Sequence, residues 1–155
     1  MDDITYKYIN YKSKEFEQVI ELRFNILFEK YNKIKRYDYD ELDHISLHLV
    51  ALDKGKVLGY SRMTDINGKG KITNVVVNPE YKYRRIGFEM MKIHIVKARE
   101  DNMHYLYLNA RLDTVDFYRK VGFKCKETTF LSKKSGLILQ EMYFKISWCV
   151  IIKYL

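Results

Sequence analysis

The stretch KITNVVVNPEYKYRRIGFEMMKIHIVKARE (71–100) limits what this chain can fold into more than any other. Residues 71–77 form a β-branched run that reads as a strand buried on both faces, and Pro79 ends it. From residue 86 the apolar period changes. Ile86, Met90 and Ile93 make one helical stripe, and Met91, Ile95 and Ala98 make a second beside it. A helix with so wide an apolar face packs on a sheet. Residues 104–109 (HYLYLN) alternate as the next strand. Strand 71–77, helix 85–100 and strand 104–109 are therefore expected to form a right-handed parallel crossover.

The other segments build a sheet around that unit. Residues 4–9 alternate as a strand. Residues 14–29 read as an amphipathic helix on Phe16, Val19, Ile20, Phe24 and Leu27, with Ser13 as its cap. Residues 30–44 read as a polar loop holding an acidic knot, YDYDELD (37–43). Strands at 46–52 and 57–64 flank a turn at Asp53–Lys56, and a second Gly-bearing turn, Asp65–Gly70, leads into 71–77. A short helix at 112–120 stops at Gly122, and strands at 123–131 and 137–147 close the order around Ser135-Gly136. The pattern predicts a mixed α/β fold with a largely antiparallel sheet flanked by helices. With 155 residues, 47% of them apolar, the expectation is a single domain spanning 1–155.

Charge narrows the function. The net charge is +8, but residues 1–50 hold 8 basic and 10 acidic side chains, whereas residues 51–100 hold 11 and 5. A polyanionic partner is therefore expected on the later part of the chain. Nucleic acid fits poorly, because there is one Trp and no nucleic-acid motif. Two cysteines, Cys125 and Cys149, make no disulfide framework, and no Cys/His cluster has zinc spacing, so no metal is expected. The first residues lack an apolar signal core and no run reaches a membrane span, so a reducing cytoplasm is the default expectation. The apolar stretch SWCVIIKYL (147–155) reads as an extension of the last strand or as a homodimer contact.

Chemistry concentrates at the loop before the second long helix. Lys82, Arg84 and Arg85 precede Gly87 at a helix N-terminus, where free N–H groups and the positive dipole end suit a pyrophosphate. An ordinary exposed basic loop is the alternative if this segment stands alone. It does not stand alone, because LNARLDTVDFYRKVGF (108–123) puts Tyr118 in a short helix just before a Gly-Phe stop.

Together, VNPEYKYRRIG (77–87) and Phe117, Tyr118, Lys120, Gly122 and Phe123 resemble the GNAT N-acetyltransferase superfamily in motif and spacing. LRFNILF (22–28), YDYDELD (37–43) and HLVALDKGKVLGYSRM (48–63) are similar to its ElaA-like branch. Lys82 stands where that family uses Arg or Gln, and Arg85 where it uses the first loop Gly. Ile72, Thr73 and Asn74 occupy the strand where a Glu base is common, and Arg111 a position often held by Asn or Gln.

The resemblance implies an acetyl-CoA cosubstrate, bound where parallel strands 71–77 and 104–109 splay apart. Main-chain groups of Val75, Val76 and Val77 would hold the pantetheine arm. Amides of Tyr83, Arg84, Arg85, Ile86 and Gly87 would hold the pyrophosphate, with Lys82, Arg84, Arg111 and Lys120 adding charge. It also implies Tyr118 as general acid and a strand amide near Val75 as oxyanion donor. Asp40, Glu41, Asp43, His44 and His48 are the candidate bases, and Asp40 and Asp43 are expected to attract a cationic amine of a small molecule or peptide. His94, His104 and the cysteines are expected to be structural. The missing strand Glu motivates one alternative, a CoA-binding sensor or interaction module without catalysis.

Overall fold

The parallel crossover sits at the centre of the molecule. The computed structural model describes residues 3–28 and 40–146. Its strands are β1 (Thr5–Ile9), β2 (Ser46–Asp53), β3 (Lys56–Ile66), β4 (Lys69–Val77), β5 (Tyr105–Arg111), β6 (Lys124–Leu131) and β7 (Ile138–Lys145). Its α-helices are α1 (Glu15–Arg23), α2 (Ile86–Glu100) and α3 (Val115–Val121). The described strands make one seven-stranded sheet in the order β1-β2-β3-β4-β5-β7-β6. Every neighbouring pair is antiparallel except β4 and β5. The fold is the expected mixed α/β one. The tail from residue 147, with Cys149, lies outside the described residues, as does the 37–39 part of the acidic knot.

Local sequence explains the meander. Asn67 and Gly68 both have positive φ, 54° and 83°, so β3 and β4 meet in a two-residue turn whose twist matches that of the strands. Both strands therefore run closer to the turn than the pattern of 57–64 and 71–77 implied. Helix α1 differs more. It ends at Arg23 and continues as a π-helical turn over Phe24–Phe28. Its start has no side-chain cap, and the Ser13 carbonyl instead accepts the Phe16 N–H at 3.1 Å.

Two cores sandwich the sheet. On one face, Ile86, Met90, Met91 and Ile95 of α2 pack on Leu49, Leu58, Met63, Ile72 and Leu106. On the other, Phe16, Val19 and Ile20 of α1 pack on Val50, Leu52, Val57, Tyr60 and Val76.

Strands β4 and β5 pair only from Lys69↔Tyr105 to Lys71↔Tyr107. Beyond that point β4 bends. Its register with β3 slips by one residue between Tyr60↔Val76 and Arg62↔Thr73, and Asn74 in the slip has a φ of 56°. A bulge turns a strand, and Asn is one of the few side chains that tolerates the left-handed region. Val75 and Val77 are consequently only half-buried, unlike the two-sided burial that the β-branched run implied.

His94 of α2 is fully buried, as expected of a structural histidine. Its ring hydrogen-bonds the Tyr8 hydroxyl through Nδ1 at 3.0 Å and Ser61 Oγ through Nε2 at 2.9 Å. Burial pushes the imidazole down to about 3. The unfolded chain binds that proton near pH 6.5, so its contribution to stability is complete above about 6.5 and is lost as pH falls toward 3. The span corresponds to roughly 5 kcal/mol. Urea unfolding followed from pH 7 to pH 4 is expected to show a shallower fall for His94→Gln than for the parent chain, by close to one proton. Equal slopes would assign the acid sensitivity elsewhere.

Candidate functional site

The divergence of β4 from β5 opens the site. The edge of β4 from Ile72 onward that faces β5 has no ladder partner, because the β4–β5 pairing ends at Lys71↔Tyr107 and the strands diverge beyond it. A cleft of about 1040 Å3 follows this edge, walled by Val75, Val76 and Val77, by the loop and first turn of α2, and by Phe117, Tyr118 and Lys120 of α3. Unpaired main-chain groups along a strand can receive an extended ligand as an added strand.

At one end of the cleft the backbone forms a cradle of free N–H donors at the start of α2. Asn78 Oδ1 accepts the Glu80 N–H at 3.0 Å, which starts the short turn Pro79–Tyr81. Tyr83 and Arg85 then adopt positive φ, 67° and 60°. Arg85 is the N-cap of α2, and its side chain makes no cap bond. The first-turn N–H groups at Ile86, Gly87 and Phe88 therefore keep their donor capacity beside Lys82, Arg85 and Lys120, with the helix dipole behind them. Arg85 stacks its guanidinium 4.6 Å from the Phe88 ring centre. Gly87 serves packing as well as ligand access: a Cβ there would lie 3.1 Å from the Phe117 ring, so glycine lets α2 and α3 approach.

At the other end a smaller cavity of about 160 Å3 lies inside the splay. It is lined by Ile72, Thr73, Asn74 and Val75 of β4, Leu108 to Arg111 of β5, and Ile26, Thr114 and Tyr118. Ile26, Val75, Arg111, Thr114 and Tyr118 border both spaces. Tyr118 is 8% exposed, and Phe117 and Phe123 hold its ring edge-on at 4.9 and 5.9 Å. Burial pushes its phenol above the ordinary value, against a weaker pull from Arg111.

The cleft gathers Val75, Val76 and Val77 of β4, Lys82, Tyr83 and Arg85 of the following loop, Ile86 and Gly87 of α2, Arg111 of β5 and Tyr118 of α3. Arg84 is not in the lining, and its guanidinium lies 5.1 Å from the ring centre of Tyr81, which is.

Asp40 and Asp43 require a correction. Neither lines either cavity. Asp43 is 0% exposed, and its carboxylate accepts from Arg23 Nη1 at 3.1 and 3.2 Å and from Arg62 Nη1 at 2.8 Å. Arg62 also pairs with Asp40 at 3.3 Å, and its Nε donates to Thr73 Oγ1 at 3.0 Å. These acids neutralise two buried arginines. The candidate base His48 is equally committed. It is buried, with Nδ1 bonded to the Tyr60 hydroxyl at 2.7 Å and Nε2 to the Asp43 carbonyl at 2.6 Å. Glu41 and His44 are exposed and outside both linings.

Sequence reasoning missed Asn25 and Ile26, which the π-helical turn presents to the cleft, and nothing in their spacing marks that turn. It also missed the role of Asn74. A polar Asn inside the run KITNVVV was the visible sign of a bulge.

The model of the Acetyltransferase (GNAT) family matches residues 13–123. The chain belongs to that family and is an N-acetyltransferase by membership. It is 25% identical to the uncharacterized N-acetyltransferase YjcF of Bacillus subtilis strain 168 over 111 residues, 72% of this chain and 79% of that protein. Its fold superposes on Escherichia coli ElaA with a TM-score of 0.78 at 16% identity, covering 91% of this chain and 99% of ElaA. It superposes on an aminoglycoside 6'-N-acetyltransferase complexed with coenzyme A at 0.76 and 14% identity, covering 92% and 97%. No helix among the described residues is long and apolar enough to cross a membrane.

Two stability predictions follow from these placements. Arg85→Gly is expected to leave the melting temperature unchanged or slightly raised, since the relief of left-handed strain, about 1 kcal/mol, offsets the looser unfolded chain. Arg85→Val should lower it clearly, because a β-branched residue resists that conformation. Asp43→Asn is expected to cost about 3–5 kcal/mol in denaturant unfolding, as it strands Arg23 and Arg62 in the interior. A loss under about 1 kcal/mol would show the pairs to be dispensable.

Proposed function

We propose that this chain transfers an acetyl group from acetyl-CoA to a primary amine of a small molecule or peptide, by direct attack, with Tyr118 as the general acid. The observation that carries the reading is the place of Tyr118 at the junction of the large cleft and the small cavity. The uncapped start of α2, with Lys82, Tyr83, Arg85, Ile86 and Gly87, suits the cosubstrate's pyrophosphate, and Arg84 adds charge nearby. The unpaired edge at Val75, Val76 and Val77 suits its amide-bearing arm, and Arg111 flanks the thioester end.

The chemistry asks for an oxyanion donor and for an acid at the departing sulfur. A main-chain amide near Val75 is the donor. Tyr118 keeps its proton at neutral pH, since burial raises its affinity for it, and it stabilises the departing sulfur by hydrogen bonding as negative charge develops there; the proton goes over as the same dry surroundings raise the basicity of the thiolate. Among the described residues no carboxylate or imidazole lines the small cavity, so the amine enters neutral, having left its proton to water.

Tyr118→Phe is expected to lower kcat by roughly 100-fold or more, while stabilisation by CoA in a thermal shift stays as in the parent chain. Unchanged kcat would remove Tyr118 from the mechanism. In the parent enzyme, kcat at saturating amine should not decline on the alkaline side before about pH 10, where an ordinary tyrosine begins to lose its proton.

A further inference from the structure

We propose that the acceptor amine is carried by an acidic polypeptide, and that the chain beyond that amine rests on the open face of β4, β5, β7 and β6. The proposal builds on the acetyl-transfer reading and specifies what bears the amine.

The registers of these strands lay out the face. Lys69, Tyr105 and Lys145 stand side by side in one row. Lys71, Tyr107, Tyr143 and Lys124 form the next. Asn109 and Glu141 form a third, where Lys126 reaches Glu141 at 3.0 Å. These positions hold five lysines against one glutamate. Four of the lysines are exposed, and Lys71 and the three tyrosines are half-buried. Helix α1 covers this side of the sheet over β2, β3 and Val76.

The rows lead to the proposed reacting centre. Thr73 of β4 and Asn109 of β5 line the small cavity. Lys71 and Tyr107 are the next residues on the same side of the same two strands. Four residues of strand separate Asn109 from Tyr105, a distance of roughly 13 Å. An extended peptide covers that distance in about four residues beyond the one that occupies the cavity.

Charge and ring geometry select the partner. A surface with this excess of lysine attracts a polyanion. Single-stranded nucleic acid needs open aromatic faces on which its bases stack. Here Lys69 Nζ lies 5.4 Å from the Tyr105 ring centre, and the Tyr105 and Tyr107 rings are tilted by 60° to each other. These rings make no flat platform. Carboxylates need only the ammonium groups and the tyrosine hydroxyls, both of which donate hydrogen bonds. A polypeptide also supplies the amine that the reaction consumes, at its N-terminus or on a lysine. In the transfer, the bond from nitrogen to the acetyl carbon forms and the carbon–sulfur bond breaks. One amine proton passes to water and the Tyr118 proton passes to sulfur, to be replaced from solvent. Nothing is oxidised or reduced.

The test measures thiol release from acetyl-CoA with the peptides Ala-Ala-Glu-Glu-Glu, Ala-Ala-Gln-Gln-Gln and Ala-Ala-Arg-Arg-Arg. Alaninamide serves as an amine too short to reach the face. A second set begins with Nα-acetyl-lysine in place of the first alanine, which tells a lysine amine from an N-terminal one. In at least one set the Glu peptide is expected to exceed the Gln peptide about tenfold in kcat/KM at low salt, through KM, with the Arg peptide poorest. The advantage should vanish at about 0.5 M salt. Lys71→Gln combined with Lys124→Gln should remove it too, with alaninamide turnover and stabilisation by CoA unchanged. Independently of turnover, a dye-labelled Glu peptide with its amine capped should bind the parent chain more tightly than an oligothymidine of equal charge. Equal or weaker use of the Glu peptides, an advantage untouched by the double variant, or tighter binding of the oligothymidine would overturn the proposal and leave acetyl transfer standing. No thiol release with any peptide or with alaninamide would overturn both.

Discussion

Everything in the site depends on β4 leaving β5 after three residue pairs. A parallel pair that stayed zipped would satisfy its own main-chain groups and close the sheet. The departure leaves the edge of β4 without a ladder partner and makes room between the strands. It has a local cause, one extra residue against β3 with Asn74 in the left-handed region. The bend is also held from outside the strand. Arg62 on β3 donates to Thr73, the residue just before Asn74, and anchors its other nitrogen on Asp43.

That anchor is a cluster of buried charge. Asp43 receives both Arg23 from the end of α1 and Arg62 from the sheet, and Asp40 adds a second carboxylate to Arg62. Buried pairs of this kind add little net stability compared with an apolar core, but breaking one is expensive. Their value here is placement. Arg23 is the last residue of the α-helical part of α1, and the π-helical turn that carries Asn25 and Ile26 starts immediately after it. One carboxylate thus ties the end of α1 to Arg62 of β3, which in turn holds the bending β4 through Thr73.

Much of the architecture was legible in sequence because it is local. Asn67-Gly68 specifies a tight turn wherever it lies, and the stripes of Ile86, Met90, Met91 and Ile95 specify a helix on a sheet. The cradle was legible for the same reason, since a helix start after a basic loop needs no distant partner. Asp43 was not. In sequence it is one acid among several in YDYDELD, and its role follows from two arginines 20 and 19 residues away on different elements. His48 was misread likewise, because the Tyr60 hydroxyl that occupies it lies on the next strand. The end of α1 was illegible for another reason: a π-helical turn has nearly the same apolar spacing as the α-helix that the pattern suggested.

The correction at Asp43 changes the electrostatic logic of the site. If the acidic first third supplied an amine-facing wall, the enzyme would concentrate cationic acceptors and would then have to strip their protons. With Asp43 and Asp40 turned inward, the described lining is neutral or basic throughout, from Lys82 and Arg85 at the cradle to Arg111 at the splay. On the proposed reading one sign of charge would serve both substrates, attracting the phosphates of the cosubstrate at one end and favouring an unprotonated nucleophile at the other. An acid there would hold an ammonium tightly in a state that cannot attack, whereas a positive site admits the reactive form directly. The absence of the strand carboxylate, which first suggested a module without catalysis, is on this account compatible with an enzyme whose acceptors lose their proton to water.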